Sequence, residues 1–233
     1  MIYKNSKYIK NIFNKVSYNY DSFNNLFSLG LHNLWKKKLI ILLKPKNGEV
    51  WADLCCGTGD MTFLLNKLLN PDGEVFGIDI SEQLLKIAQK KSNKLDNSVI
   101  NWQKKDIFDL DYKLRKFDGI CMSYGLRNLI NVEDGIKKVF MLLKDNGRAG
   151  ILDFNHPKKN SLSSIFQKMY LRFVVVPISS LFNLGEEYRY IEDSIKVFPK
   201  GKKLIFLAKK IGFKKVNYIT FFGGQMGILI LKK

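Results

Sequence analysis

Two glycines flanked by acidic and hydroxyl side chains form the part of the sequence best suited to binding a small ligand. The run from Val50 to Asp60 predicts a short buried strand, a glycine turn and the start of a helix. Gly57 and Gly59 carry no Cβ, so the turn between them can approach a ligand closely. Thr58 or Asp60 is expected to cap the helix that follows, from Met61 to Leu69.

A second strand-like run, from Glu74 to Asp79, ends in a carboxylate 20 residues after Gly59. A βαβ nucleotide site places a ribose-binding acid at about this spacing. A dinucleotide site has a third glycine and leaves the helix N-terminus free for a pyrophosphate. Here Thr62 stands at the third position, and the carboxylate of Asp60 would repel phosphate. The sequence therefore disfavours a dinucleotide.

Three acids, Asp53, Asp60 and Asp79, are predicted to surround one turn. Such a pocket favours a ligand that combines a ribose with positive charge. S-adenosylmethionine, which carries an ammonium and a sulfonium, meets this description. The alternative is that Asp60 only caps a helix and Asp53 is a solvated acid at a strand end.

Further polar residues follow the next two predicted strands, Val99 to Gln103 and Phe117 to Met122. The carboxyl ends of parallel strands meet at one edge of a sheet, so these residues should lie near the glycine turn. Asp106 could accept a hydrogen bond from an adenine amino group, or it is a loop acid among lysines. The loop from Ser123 to Leu129 carries tyrosine, arginine and asparagine, and is predicted to meet a substrate.

Five β-then-α units and a terminal strand pair, 215–221 and 225–231, indicate the fold class. They predict an α/β protein with a doubly wound, mostly parallel seven-stranded sheet and one antiparallel strand near an edge. Residues 11–43 predict two helices, broken near Gly30. We expect a helical N-terminal substrate cap over 1–43. A Rossmann-like domain follows over 44–233, with a helical insertion at about 160–200, all in one structural unit.

The chain has 233 residues and a net charge of +18, which suggests an anionic partner such as nucleic acid or a membrane surface. Only five of its 39 basic residues are arginines, however. Codon bias in an AT-rich genome and a functional basic surface both explain the lysine excess. The three cysteines have no metal-binding spacing, so we expect no metal and a reducing compartment. No apolar run is long enough to span a bilayer, which predicts a soluble or peripheral protein.

Two apolar segments, 11–43 and 161–184, each allow two interpretations. The aromatic residues of 11–43 pack on the core or close over a greasy substrate. The insertion from Ser161 to Leu184 packs on the core, or forms a lid or a face resting on lipid.

Several motifs of this sequence resemble the UbiE/MenG family of quinone C-methyltransferases. They are Tyr20-Asp21, Leu29-Gly30-Leu31-His32-x-x-Trp35-Lys36, Asp53-Leu54-x-x-Gly57-Thr58-Gly59-Asp60, Tyr124-Gly125-Leu126-Arg127-Asn128, Tyr188-Arg189-Tyr190-Ile191-x-x-Ser194-Ile195 and Gly212-Phe213. Other runs, including Leu54-Cys55-Cys56-Gly57, look most like the plant and cyanobacterial branch. That branch methylates 2-phytyl-1,4-naphthoquinone in phylloquinone synthesis.

The resemblance implies a class I methyltransferase fold and a set of residues that bind S-adenosylmethionine. Positions that contact this donor in relatives are occupied here by Thr58, Asp79, Asp106, Ile107 and Ser123. Gly57 and Gly59 shape the turn. The charge argument above adds Asp53 to the set. Bacterial relatives carry Asn-Ala at the Asp106-Ile107 position. A carboxylate serves the adenine amino group equally well.

Ring methylation requires an electron-rich carbon, so the expected substrate is the reduced quinol. Arg127 is expected to stabilise the developing phenolate, with Tyr124 and Asn128 orienting the ring. Arginine stays protonated, which favours electrostatic stabilisation over base catalysis. His32 could take a proton, but a surface or capping histidine is the preferred interpretation.

Other activities remain open. A demethylmenaquinone or ubiquinone-precursor methyltransferase would share the same motifs. An RNA-directed enzyme would explain the charge, but such enzymes show an Asn/Asp-Pro-Pro-Tyr/Phe loop or a Pro-Cys nucleophile where this chain has Ser-Tyr-Gly-Leu-Arg-Asn, so we expect no nucleic-acid partner. A non-catalytic binding module would have a degraded cofactor turn.

The expected surroundings follow from the same features. A prenylated naphthoquinol implies peripheral contact with membrane lipid. The short extension before Val16 leaves little room for a transit peptide, and together with the AT-rich composition this favours a plastid-encoded protein of the stroma or thylakoid surface, or a cyanobacterial cytoplasmic one. A monomer and a homodimer both remain open.

Overall fold

A computed structural model describes residues 5–94, 100–114, 116–157 and 161–233. Its centre is a seven-stranded sheet in the order β3-β2-β1-β4-β5-β7-β6. The strands are β1 (Val50–Leu54), β2 (Glu74–Asp79), β3 (Ile100–Lys104), β4 (Phe117–Ser123), β5 (Leu143–Phe154), β6 (Lys215–Phe221) and β7 (Met226–Lys232). Strands β1 to β5 pair in parallel, and β7 runs antiparallel between β5 and β6. The predicted fold class is confirmed.

Ten α-helices occur in the described part of the chain. They are α1 (Ser6–Val16), α2 (Tyr20–Ser28), α3 (Leu31–Leu43), α4 (Asp60–Leu69), α5 (Glu82–Lys94), α6 (Val132–Leu142), α7 (Leu162–Tyr170), α8 (Val176–Ser180), α9 (Gly185–Val197) and α10 (Gly201–Ile211). Of the predicted third strand, Val99 lies outside the described residues. Among those that are described, no helix combines the length and apolar character needed to cross a bilayer.

The N-terminal residues form three helices rather than the two predicted. A 3₁₀ turn at Ser17–Asn19 separates α1 from α2. The predicted break near Gly30 is confirmed, because Leu29 and Gly30 adopt left-handed φ angles of 49° and 75°. A left-handed residue ends the regular hydrogen-bonding of a helix, so α3 starts in a new direction.

The sheet buries a different side-chain layer on each face, as alternation along a strand requires. On one face Trp51 packs with Leu39 of α3 and Leu65 of α4. On the other, Ile120 packs with Ile136 of α6 and Leu204 of α10. A third apolar cluster joins α1 and α2 to the insertion through residues such as Val16, Phe23, Val175 and Tyr188. The helices of the N-terminus and of the insertion therefore pack against each other beside the sheet.

Candidate functional site

Two spaces could hold ligands. The first, which we call the smaller pocket, opens at the carboxyl ends of β1, β2 and β4. It encloses about 700 Å³ of space not filled by atoms, including space open to solvent. Seven predicted site residues line it: Gly57, Asp79, Asp106, Ile107, Ser123, Tyr124 and Asn128. The topology explains this meeting, since β1 lies between β2 and β4 and all three run parallel.

Asp79 is the central acid of the smaller pocket. One carboxylate oxygen accepts a hydrogen bond from the backbone N–H of Gly57 and the other from Ser81, both at 2.8 Å. Burial raises the pKa of Asp79, and the backbone N–H donors act against that rise. Each oxygen keeps further acceptor capacity, which suits the paired hydroxyls of a ribose.

Asp106 and Ser123 add two polar groups to the same pocket. The Asp106 carboxylate accepts hydrogen bonds from the hydroxyl of Ser6 at 2.8 Å and from the backbone N–H of Phe108 at 3.1 Å. The buried hydroxyl of Ser123 has no hydrogen-bond partner among the residues that the structure describes. A buried polar group without a partner is costly, so this hydroxyl is well placed to bond a ligand.

Three predicted cofactor residues, Asp53, Thr58 and Gly59, line neither the smaller pocket nor the larger cavity described below, within the described ranges. Asp53 lies beneath the turn and accepts hydrogen bonds from the Thr62 hydroxyl at 2.7 Å and the Cys121 thiol at 3.3 Å. The hydroxyl of Thr58 donates to Asp21 at 2.6 Å. Their direct contact with a cofactor stays a prediction.

The helix start at the turn differs from the prediction. Gly59, with φ 89°, is the N-cap residue of α4, and no side chain caps this helix. The prediction of a Thr58 or Asp60 cap was therefore wrong. Asp60 pairs with Lys36 at 2.7 Å and with Lys91 at 3.5 Å. Two lysines neutralise this carboxylate, so the prediction that it adds negative charge to the pocket was wrong as well.

Asp53 should make the stability of the protein depend on pH. Burial raises its pKa to about 6, against the lowering effect of the hydrogen bonds from Thr62 and Cys121. A raised folded-state pKa means that stability falls as pH rises from about 4 to about 6, by about 3 kcal/mol for this shift. Urea unfolding at several pH values should show Asp53→Asn gaining stability relative to the wild type across this window. A constant difference between the two proteins would contradict this.

A larger cavity lies beside the smaller pocket, under the N-terminal helices and the insertion. It encloses about 1390 Å³, again counting space open to solvent. Its lining is mainly apolar and aromatic, with Phe27, Trp35 and Tyr188 among the side chains. Of the predicted catalytic residues, Tyr124 and Arg127 line it. Such a lining suits a large apolar molecule with few polar groups.

The two spaces share part of their walls. Phe13 and Tyr20 from the N-terminal helices and Tyr124 from the loop after β4 line both. Tyr124 has a positive φ of 61°, and Cys55 at the end of β1 has φ 57°. Non-glycine residues in this conformation are strained and concentrate at functional sites. The loop geometry therefore supports a site where the two spaces meet.

Arg127 is held firmly at the edge of the larger cavity. Its guanidinium donates to Asp153 at 2.9 Å and to the backbone carbonyl of Tyr124 at 2.6 Å. The same carbonyl accepts from the Asn128 side chain at 2.9 Å. Asn128 thus lies on the smaller pocket and Arg127 on the larger cavity, and together they fix the backbone of Tyr124.

His32 also lines the larger cavity and is only 6% exposed. The N-cap of α3 is Gly30, and no side chain caps that helix. The preferred interpretation of His32 as a surface or capping residue was therefore wrong. No sequence pattern indicated the cavity position, because much of the lining comes from α7 and α9, which are distant from His32 along the chain.

The whole chain, residues 1–233, matches the model of the ubiE/COQ5 methyltransferase family. The chain belongs to this family. It is a methyltransferase, so the predicted family and enzyme class are confirmed. Among the described residues, no three histidine, cysteine, aspartate or glutamate side chains form a group that could hold a metal.

Curated relatives cover nearly the full length. A 2-phytyl-1,4-naphthoquinone methyltransferase of Nostoc punctiforme is 36% identical over 226 residues, which cover 97% of this chain and 98% of the relative. The chloroplastic 2-phytyl-1,4-beta-naphthoquinone methyltransferase of Arabidopsis thaliana is 35% identical over 222 residues, covering 94% and 85%. The predicted similarity to the plant and cyanobacterial branch is confirmed.

Solved structures support the fold. A SAM-dependent methyltransferase from Aquifex aeolicus superposes with a TM-score of 0.63 and 15% identity, covering 91% of this chain and 97% of the other. At this identity the likeness concerns the fold alone.

Proposed function

We propose that this methyltransferase transfers the methyl group of S-adenosylmethionine to a ring carbon of a prenylated 1,4-naphthoquinol. The substrate we favour is 2-phytyl-1,4-naphthoquinol, whose methylation yields phylloquinol. The main observation in support is that Phe13, Tyr20 and Tyr124 line both the smaller polar pocket and the larger apolar cavity. A donor in the first and a ring in the second would meet there.

The polar groups of the smaller pocket suit S-adenosylmethionine. The Asp79 carboxylate fits the ribose hydroxyls, and the Asp106 carboxylate fits the adenine amino group. The orphaned Ser123 hydroxyl supplies a further hydrogen bond. When bound, the donor supplies an electrophilic methyl group on a sulfonium.

The larger cavity suits the quinol and its chain. Its aromatic lining accepts an apolar ring and part of a prenyl tail. Arg127 brings a permanent positive charge to this lining, where it can stabilise a phenolate. Tyr124 would orient the ring at the shared wall, and Asn128, which lines the smaller pocket, would act through its hydrogen bond to the carbonyl of Tyr124. The names of the Nostoc punctiforme and Arabidopsis thaliana relatives support a naphthoquinone rather than a benzoquinone.

A methyl-transfer assay tests the proposal directly. The purified protein receives labelled S-adenosylmethionine and, in parallel, the quinols of demethylphylloquinone, demethylmenaquinone and a ubiquinone precursor, and RNA. We expect the highest kcat/KM with the phytyl naphthoquinol. A preference for another quinol would change the proposed substrate to that quinol and leave the reaction, methylation of a quinol, unchanged. Labelled RNA with no labelled quinol would overturn the proposal.

An exposed apolar surface on the insertion shares one residue with the lining of the larger cavity. We call it the insertion patch: Leu162, Ile165, Phe166, Met169, Phe173, Leu181 and Phe182, each about half exposed or more. Phe166 belongs both to this patch and to the cavity lining, and Leu29 between α2 and α3 is a second exposed apolar residue of that lining. The patch is therefore continuous with the proposed quinol site. A chain that dissolves in lipid could enter the cavity from a membrane that the patch touches.

Vesicle flotation tests membrane contact. The wild type should float with anionic phosphatidylglycerol vesicles at low salt, because lysines attract the surface and the insertion patch enters it. Leu162→Asp combined with Phe173→Asp should lower the bound fraction about tenfold or more. Leu114 is 84% exposed against 87% for Leu162, but precedes β4 at the opposite end of the strands, so Leu114→Asp is the matched control. Equal binding by the double variant and the control would contradict the proposal.

The relatives named above come from a cyanobacterium and from a chloroplast. We therefore place the reaction in a plastid or in a cyanobacterial cell. Whether the protein acts as a monomer or a homodimer follows from light scattering on the same preparation.

A further inference from the structure

We propose that the imidazole of His32 accepts a hydrogen bond from a hydroxyl of the quinol and takes its proton during methyl transfer. The inference rests on the function proposed above and adds a catalytic residue to it. It comes from the hydrogen bonds around His32, which fix where the proton of its ring lies.

Ser28 determines the tautomer of His32. The Ser28 hydroxyl lies 2.6 Å from the backbone carbonyl of Asn24, which can only accept, so the hydroxyl hydrogen points there. The Ser28 oxygen also lies 2.7 Å from Nδ1 of His32. Because its one hydrogen is already used, the oxygen must accept from Nδ1–H. The unprotonated nitrogen of the neutral ring is therefore Nε2, which carries the lone pair.

Nε2 is the half of the ring that remains for a ligand. Within the described ranges no hydrogen bond reaches it, whereas Nδ1 is bonded to Ser28. His32 belongs to the lining of the larger cavity, together with Arg127 and Tyr124. A basic nitrogen with a free lone pair in an apolar cavity is suited to accept from a hydroxyl. A quinol has such hydroxyls, whereas the oxidised quinone presents only carbonyl acceptors.

The charges around His32 keep it ready to accept a proton. Burial lowers its pKa, and Lys36 one helical turn along α3 lowers it further. Asp60 at the start of α4 and Asp21 on α2 act in the opposite direction. The net direction is downward, so the ring is neutral at neutral pH. The two acids would stabilise the imidazolium once it forms.

The proposed step balances in atoms and charge. The O–H bond of the hydroxyl next to the reacting carbon breaks, the proton moves to Nε2, and the electron pair enters the ring. The ring carbon forms a bond to the methyl group as the methyl–sulfur bond breaks, and that electron pair stays on sulfur. The carbon then loses its hydrogen as a proton, the ring oxygen regains one, and His32 releases its proton to solvent. One proton leaves for each methyl transferred, and no oxidant is needed.

His32 and Arg127 then have separate roles. Arginine remains protonated at all working pH values, so it stabilises the oxygen anion without taking a proton. His32 takes the proton, which arginine is poorly suited to do. Glutamine at position 32 can accept the hydrogen bond but cannot be protonated, so His32→Gln separates binding from proton transfer.

The test is the pH profile of single-turnover methyl transfer with the phytyl naphthoquinol. In the wild type, the rate should fall as pH drops through the His32 pKa, which lies below the ordinary 6.5. His32→Gln should lower the rate about a hundredfold and remove this acidic limb. The affinity for S-adenosylmethionine, measured by calorimetry, should change less than threefold. His32→Gly should regain activity when imidazole is added.

The chain offers a matched control, since its other histidine is His156. Its Nε2 lies 2.8 Å from the backbone carbonyl of Phe198, and it lines neither of the two spaces. His156→Gln should keep both the rate and the acidic limb. Wild-type transfer with an unchanged profile in His32→Gln would overturn the role of His32 alone. Absence of quinol methylation by the wild type would overturn the proposed function, and the role of His32 with it.

Discussion

Arg127→Lys is expected to bind S-adenosylmethionine normally and to turn over several hundredfold more slowly than the wild type. Arg127 is 5% exposed, and its guanidinium donates at once to Asp153 and to the carbonyl of Tyr124. Both bonds leave from Nη1, whereas lysine has a single nitrogen, which cannot hold these two acceptors and also present a donor at the position of a second guanidinium nitrogen. Loss of one preorganised donor to a developing oxyanion costs about 3 to 4 kcal/mol in the transition state. Single-turnover rates at saturating donor measure this loss.

Lysine is chosen over alanine for a physical reason. Removing Arg127 would leave the buried carboxylate of Asp153 without its ionic partner, which destabilises a protein by about 3 to 5 kcal/mol. A low rate in Arg127→Ala would then report unfolding as readily as catalysis. Arg148 is the matched control, because it also bonds a carboxylate, that of Glu49, but lies in the amino-terminal half of β5, away from the carboxyl end that carries Asp153. Arg148→Lys should keep the wild-type rate. Equal rates in both variants would remove Arg127 from the site.

Asp79→Asn is expected to weaken S-adenosylmethionine binding about 150-fold, close to 3 kcal/mol. The carboxylate accepts from Gly57 and Ser81 with separate oxygens. Asparagine has one oxygen, so its NH₂ group would face a backbone N–H with no acceptor between them, and a ribose hydroxyl would lose its anionic partner. Losing a hydrogen bond to a charged group and leaving a donor unsatisfied each cost about 1 to 3 kcal/mol. Titration calorimetry measures the affinity.

The same substitution at an exposed site provides the control. The side chain of Asp145 is 90% exposed, so Asp145→Asn should bind the donor as the wild type does. Thermal unfolding of Asp79→Asn checks that the fold is kept. Wild-type affinity in a folded Asp79→Asn would show that this acid does not contact the donor.

The sheet could be predicted because its strands carry strong local signals. The apolar runs that end at Leu54, Asp79 and Ser123 are each bounded by glycine or polar residues, and parallel pairing brings their carboxyl ends together. The tight reversal between β6 and β7 is likewise local, because it lies at Gly223 and Gly224, which both have positive φ angles. These features depend on neighbours along the chain, which a sequence displays directly.

Charge was harder to predict, because it depends on partners distant in sequence. Asp60 looked like a free acid at a glycine turn, but Lys36 from α3 and Lys91 from α5 both reach it. Asp53 looked like a pocket residue, but its side chain points to Thr62 and Cys121 beneath the turn. Asp79 alone of the three lines the smaller pocket. The charge argument reached S-adenosylmethionine with one of its three acids in the expected position.

The sequence indicated the N-terminal helices as one wall of a substrate cavity, but the extent of the larger cavity could not be predicted. Its walls come from α1, α2, α3, α7 and α9, which are amphipathic helices whose packing partners the sequence does not specify. His32 illustrates the limit. A lone histidine near a helix start has many ordinary roles, and only the packing of three elements around it shows that it faces a cavity.

The N-terminal helices are tied to the glycine turn by polar contacts. Asp21 accepts from Thr58 and pairs with Lys91, while Asn14 accepts from the hydroxyl of Ser81. The same helices line the larger cavity, so under the proposed function one segment of the chain would contact both reactants. Replacing these helices with those of a relative, in order to accept a different ring, would therefore also change the affinity for the methyl donor. In this protein, acceptor specificity and donor affinity would therefore change together when these helices change.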